Sequence, residues 1–319
     1  MLRSSLLSVA LLAFAQSGAA YTLVDDFSAT NFFPNFDFFT SEDPTHGFVK
    51  YVDAATAHST GLTDIKTDSD GSQSVYMGVD YTNITHDGRP SVRITSKKSY
   101  NHGLFIGDFS HMPGGVCGTW PAFWMLGPNW PVGGEVDILE GVHQQTRNNM
   151  VAHTNANCSI QDWGFSGSLK TDDCDVEAPD QSPNAGCRIT STVPNSYGTG
   201  FNKAGGGVYA MEWTPEYIKI WFFTRAWGGT VPLDIELGHP DPKSWGFPDA
   251  AFQGPCDIND HFYDMQIIFD TTFCGDWAEG VWAESSCSDR APTCLDFVRD
   301  NPAEFEEAYW GVNSVKVYQ

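Results

Sequence analysis

The chain has 319 residues, long for one domain but within reach of a large all-β sandwich. Its 40 acidic residues outnumber 17 basic ones, a formal net charge of −23. Such a surface repels nucleic acid and anionic lipid, so neither is expected as a partner, and it suits a neutral ligand.

In chain order, the first element is MLRSSLLSVALLAFAQSGAA, with Arg3, an apolar run over 6–15 and small residues at Gly18, Ala19 and Ala20. That is the pattern of a secretory signal peptide cleaved before Tyr21. Its apolar run is shorter than the roughly 20 residues a membrane span needs. A secreted, extracellular protein with no membrane association is therefore expected, with residues 1–20 as leader. Residues 21–319 show no Pro/Ser/Thr-rich tether, low-complexity block or repeat, and read as a single domain. A monomer is expected.

Strand signals dominate: SVRITSK (91–97), GLFIGDF (103–109), EVDILEG (135–141), NMVAHTN (149–155), GVYAMEWT (207–214), YIKIWFFT (217–224), YDMQIIFD (263–270) and NSVKVYQ (313–319). Each carries β-branched and aromatic residues and is bounded by Gly, Pro, Asn or Asp. Thr214-Pro215-Glu216 reads as a hairpin turn. Residues 158–206 and 225–258 read as long loops, and 296–310 as a short helix before the last strand. Many strands with few helices predict an all-β sandwich.

Eight cysteines (Cys117, Cys158, Cys174, Cys187, Cys256, Cys274, Cys287 and Cys294) in a secreted chain predict disulfides, with the pairing left open. No C-x-x-C or H-E-x-x-H occurs, so no metal site is predicted. Of two glycosylation sequons, Asn83-Ile-Thr is favoured over Asn157-Cys-Ser, whose central cysteine is expected to be bridged.

The stretch GGEVDILEG (133–141) sets three carboxylates, Glu135, Asp137 and Glu140, in an otherwise apolar strand. Charges are costly to bury unless paired or used. On a strand Glu135 and Asp137 share a face, whereas Glu140, five residues from Glu135, points the other way. One extra residue, a β-bulge near Ile138 or Leu139, brings all three to one face and leaves the aliphatics on the other. Two glutamates of opposite protonation state suit double-displacement cleavage of a glycoside, with Asp137 coupling them. Spacing alone also fits a calcium site or a solvated edge strand.

The neighbourhood favours chemistry. Upstream lies GTWPAFWMLGPNWP (118–131), with Trp120, Phe123, Trp124 and Trp130; downstream lies FCGDW (273–277), with Trp277. Indole faces stack on the apolar faces of sugar rings. Trp120 or Phe123 instead suits the core. His153, on the next predicted strand, is placed either to bond a carboxylate or sugar hydroxyl or to serve the core.

EVDILE resembles the E-x-D-x-x-E signature of glycoside hydrolase family 16 in its bulged, laminarinase-like form. The resemblance to secreted fungal members extends over 36–53, 89–124, 129–154 and 273–278, most of the chain after the leader. It implies a concanavalin A-like β-jelly roll of two antiparallel sheets with a glycan cleft on the concave face. It implies a retaining endo-hydrolase of β-1,3(4)-glucans, laminarin and mixed-linkage β-glucan alike, needing no cofactor and no metal. Residue by residue, Glu135 matches the nucleophile, Glu140 the acid/base and Asp137 the assisting acid. His153, Trp124, Trp130 and Trp277 match substrate-contacting positions. A strict endo-β-1,3-glucanase is the nearest alternative. A glucan transglycosylase is disfavoured, because fungal wall transglycosylases of this fold typically carry the shorter E-x-D-x-E. A non-catalytic glucan-binding lectin is disfavoured because both glutamates are present.

Overall fold

The alternating runs pair into two eight-stranded antiparallel sheets in the computed structural model, which describes residues 21–67, 69–226 and 228–319. The expected leader, residues 1–20, lies outside the described residues. The first strands are β1 (Leu23–Ser28), β2 (Phe36–Phe38), β3 (Val49–Tyr51), β4 (Thr63–Thr67), β5 (Gln73–Met77), β6 (Arg89–Ser91), β7 (Arg93–Tyr100), β8 (Gly103–His111) and β9 (Thr119–Leu126). Then follow β10 (Glu135–Glu140), β11 (Asn149–His153), β12 (Ser168–Thr171), β13 (Cys187–Thr190), β14 (Gly207–Trp213), β15 (Ile218–Thr224), β16 (Ala250–Phe252), β17 (Met265–Phe273) and β18 (Trp310–Tyr318). The helices are short: α1 (Ala54–Ser59), α2 (Gly198–Lys203), α3 (Leu233–Glu236), α4 (Ile258–His261), α5 (Gly275–Gly280) and α6 (Cys294–Asp300).

One sheet runs β16-β15-β14-β8-β18-β5-β4, with β1 also paired to β18; the other, which carries the acids, runs β12-β13-β11-β10-β9-β17-β7-β2. Strands β3 and β6 form a small parallel pair. The expected all-β sandwich is the observed architecture. Between the sheets, Phe105, Phe109 and Met211 meet Phe123, Met125 and Phe269 in one apolar cluster. The Phe109–Phe123 and Phe123–Phe269 centroids lie 5.2 and 4.7 Å apart. Alternate residues of β8, β14 and β15 feed this core, so the alternation visible in their sequence follows from sheet pleating.

The hairpin β14–β15 forms as expected. Its turn is fixed by Thr214, whose hydroxyl accepts from the Glu216 and Tyr217 amides, both at 3.2 Å. The C-terminal helix differs from expectation. Thr293 caps it by accepting from the Asp296 amide, so it starts at Cys294, and it ends at Asp300 because Pro302 cannot continue it. The segments read as loops hold β12, β13 and β16. Strand β9 carries no alternation signal, since both its faces are apolar and buried apart from Trp120 and Leu126 at its ends. Pro121 is tolerated there because it sits just past the last β9–β10 pair, Ala122 with Glu140.

All eight cysteines are bridged: Cys117–Cys287, Cys158–Cys256, Cys174–Cys187 and Cys274–Cys294. Two of these bridges join a second apolar cluster, with Phe273, Trp282, Phe297 and Phe305, that anchors the 274–308 segment beside the acid-bearing sheet. Among the described residues no helix is long and apolar enough to cross a membrane.

Candidate active site

The register of β10 places the carboxylates. Against β9, Val136 pairs with Met125 and Asp137 with Trp124, but the next pair is Leu139 with Phe123, then Glu140 with Ala122. Two residues on β10 thus oppose one step on β9, and Ile138 is the extra residue. Val136, Ile138 and Leu139 all enter the core between the sheets. Glu135, Asp137 and Glu140 share the opposite, open face, where Ala122, Trp124, Leu126 and Ile268 form an apolar floor separate from the core.

Asn148, which the sequence reading passed over, clamps the bulge. Its Nδ2 donates to the Ile138 carbonyl at 2.7 Å, and its Oδ1 accepts from the Glu140 amide at 2.8 Å. Both backbone groups lose their ladder partners at the bulge, and buried groups of this kind must be satisfied elsewhere. Asn148 is fully buried.

The expected site residues converge. His153 sits directly across from Glu135, and its Nε2 lies 3.5 Å from Asp137 Oδ2. Gly186 makes room for it: a Cβ there would lie 2.8 Å from His153 Nδ1, on a backbone with φ +58°. Trp130 is 44% exposed and lies close enough to Glu135 to pull its carboxyl down. Trp277 packs edge-on against Trp120, centroids 5.6 Å apart. Trp124 is on the open face but only 8% exposed, beneath the Arg93 guanidinium 5.0 Å from its ring. It is part of the floor rather than a free-standing platform.

Three further residues were not singled out from sequence as site residues. Trp120, read as core, instead donates its indole N–H to Glu140 Oε1 at 2.7 Å. Asp270 on β17 sits in the same cross-strand row as Glu140, through Ala122, and beside Arg93 on β7. Its Oδ1 is buried without a hydrogen-bond partner. Arg93 and Asp270 are far from β10 in sequence and carry no local motif, so only strand order reveals them.

Burial dominates the electrostatics. Glu135 is pushed up to about 7, by burial first and by the Asp137 charge second, against the opposing pull of His153, Trp130 and Arg93. Asp137 is pushed up to about 8, again by burial first and then by Asp270, while its hydrogen bond with Glu135 opposes the rise. Glu140 is raised well above the usual carboxylate range by burial and by Asp137, despite its bond from Trp120. Asp270 is pushed up to about 7 by burial, with Arg93 pulling it down. All three acids of β10 are thus pushed toward the protonated form, Glu140 well above the usual carboxylate range and Glu135 to about 7, which leaves two glutamates of unequal acidity on one face. Glu135, Asp137 and His153 also offer three ligand atoms within 4.8 Å of one another, a set that could hold a divalent cation. A second grouping, Cys274, Glu279 and Cys294, spends both sulfurs on a disulfide.

The family described as XgeA-like, catalytic GH16 domain, matches residues 36–318. An endo-1,3(4)-beta-glucanase of Arthroderma benhamiae is 48% identical over 96% of this chain, which spans 67% of that relative's length. A probable endo-1,3(4)-beta-glucanase of Aspergillus niger is 46% identical over 95% of this chain, which spans 40% of its length. Among solved structures, an elongating GH family 16 beta-1,3-glucosyltransferase is 45% identical, with TM-score 0.84, over 94% of this chain and 100% of its own. Laminarinase 16A from Phanerochaete chrysosporium, solved with beta-glucans in both donor and acceptor sites, is 42% identical, with TM-score 0.85, over 94% of this chain and 100% of its own. With the match extending from β2 to β18, the chain belongs to glycoside hydrolase family 16, as an XgeA-like catalytic domain.

Proposed function

We propose that residues 21–319 form the single catalytic domain of a secreted, retaining endo-hydrolase of β-1,3(4)-glucans, and that residues 1–20 are its leader. The observation that carries this reading is the one-residue bulge at Ile138, which turns Glu135, Asp137 and Glu140 onto one face with tryptophans around them. The names of the fungal relatives support the substrate class, and the four disulfides support secretion.

The chemistry follows from the ionisation order. Glu140, protonated, donates to the glycosidic oxygen as ionised Glu135 attacks the anomeric carbon from the opposite face. The leaving chain departs with that proton, and a glycosyl ester forms on Glu135. Glu140, now a carboxylate, takes a proton from water as the water oxygen displaces Glu135, which restores both groups. Asp137, coupled to Glu135 and with His153 3.5 Å from its Oδ2, is assigned to position the nucleophile. Trp120 fixes the Glu140 rotamer. Trp124, Trp130 and Trp277 are assigned to the sugar rings. These steps need neither metal nor organic cofactor.

The test is product analysis on laminarin and barley mixed-linkage glucan, with Glu135→Gln as control. Short oligosaccharides from both substrates are expected, and none from the variant. Products from laminarin alone would narrow the specificity to β-1,3 linkages. A second reading, transfer of the glycosyl group to another sugar, is favoured by the transferase neighbour at 45% identity. Products longer than the starting oligomers would establish it.

A further inference from the structure

A groove of about 630 Å³ lies at the β2 end of the acid-bearing sheet and is not used by the chemistry above. It is lined by Phe33, Pro34 and Phe38, by Ala54 and His58 of α1 and by Ile65 of β4. Phe33, Phe38 and Ile65 pack against the core yet are only partly buried, so their outer surfaces face the groove. The charges at its edge are paired off: Lys97 Nζ is 3.8 Å from Asp37, and Lys66 Nζ is 2.7 Å from Asp64. An aromatic wall with a polar but neutralised rim suits a ligand that is apolar on ring faces and hydroxylated at its edges.

The groove meets the open face at Asp37. Asp137 pairs with Trp124, Trp124 with Ile268, Ile268 with Thr95, and Thr95 with Asp37. Asp37 is therefore the last residue of the row that starts at the carboxylates, and it also lines the groove. Four strand steps at roughly 4.8 Å set the two about 19 Å apart. A chain lying across the strands along the Asp137 row runs off β2 at this point.

We infer that the groove is a distal binding site for the same β-glucan chain, engaging polymer beyond the sugars held at the carboxylates. This inference rests on the glucan reading proposed above. It requires long substrates to bind more tightly than short ones, through residues that take no part in bond cleavage.

Ala54→Trp fills the groove from an exposed position in the first turn of α1 without removing core packing, and Lys97→Ala removes a rim donor as an independent variant. For Ala54→Trp, KM on polymeric laminarin is expected to rise about 5- to 10-fold, a loss on the scale of one aromatic contact, with kcat little changed. Turnover of a tetrasaccharide, too short to reach Asp37, stays at the wild-type value. Unchanged KM on polymer in both variants, with intact thermal transitions, overturns the inference. Retardation in laminarin-containing gels reads the groove without any turnover. Weaker retardation of Ala54→Trp supports the distal site even in a protein that hydrolyses nothing, the result that would sink the hydrolase reading instead. A dimer in light scattering that Ala54→Trp abolishes, with gel retardation unchanged, gives the groove to a second copy of the chain and also overturns the inference.

Discussion

Glu212 on β14 and Asp137 on β10 are both buried carboxylates in central strands, 9% and 2% exposed. Glu212 accepts from the Tyr21 hydroxyl on one oxygen and the Tyr217 hydroxyl on the other, each at 2.9 Å. Its hairpin keeps an unbroken register from Gly207–Thr224 to Trp213–Ile218. Asp137 Oδ2 is buried without a hydrogen-bond donor, and the register of β10 breaks one residue later. A buried acid with a donor on every oxygen costs little and serves the fold. One left short of donors beside two other acids is a liability that folding alone does not explain. The difference sets a carboxylate that serves the fold apart from one proposed to serve the chemistry.

The comparison breaks most sharply under isosteric substitution. Glu135→Gln and Glu140→Gln are each expected to lower kcat by about 10³-fold or more with the thermal transition preserved. Glu212→Gln should leave kcat at the wild-type value and cost stability, about 1–2 kcal/mol from weakened hydrogen bonds. Steady-state kinetics and thermal denaturation on the three variants decide it; comparable kcat losses in all three would erase the distinction. Trp124→Ala is next. Because the ring is floor rather than rim, truncation should cost about 3 kcal/mol of stability as well as raising KM. A variant as stable as wild type would return Trp124 to the role of exposed platform.

Asn148→Ala sharpens the comparison. It leaves the Ile138 carbonyl and the Glu140 amide unsatisfied, at about 1–3 kcal/mol each. It should also lower kcat by about 10-fold or more at temperatures far below unfolding, since the bulge no longer aims Glu140. Lost stability with unchanged kcat would show that the bulge holds itself.

The same acids can be tested together through pH dependence. Glu135, Asp137 and Asp270 are raised to about 7, 8 and 7 in the folded protein. Raised carboxyls make the folded state bind more protons than the unfolded chain between roughly pH 4 and 8. Their stabilisation is complete below pH 4 and is lost as pH rises through 7–8. Thermal denaturation should give a higher Tm at pH 5 than at pH 8, with a shallower fall in Asp137→Asn. A Tm that rises over that interval would contradict the assigned shifts.

Much of this was legible in the sequence, for identifiable reasons. Strand pleating makes alternation visible in β8, β14 and β15, and a five-residue gap between two glutamates requires a bulge if both are to face one way. The pairing of β9 with β10 was hidden, because TWPAFWML is apolar on both faces and holds a proline. Trp120 and Trp124 could not be sorted by sequence: one was read as core and holds Glu140, while the other was read as a sugar contact and is almost covered. Asn148, Asp270 and Arg93 reach the site only through strand order and a side-chain clamp, which are non-local. The disulfide pairing likewise depends on which loops the two sheets bring together.

The central claim is that Glu135 is the nucleophile and Glu140 the acid. Its most direct test is to trap the glycosyl-enzyme with a 2-fluoro laminaribioside bearing a good leaving group and to locate the adduct by peptide mass spectrometry. One glycosyl group on the peptide spanning β10, fragmenting to Glu135, is the result predicted. An adduct on Glu140 or Asp137, or no adduct from an enzyme that turns over laminarin, would contradict it.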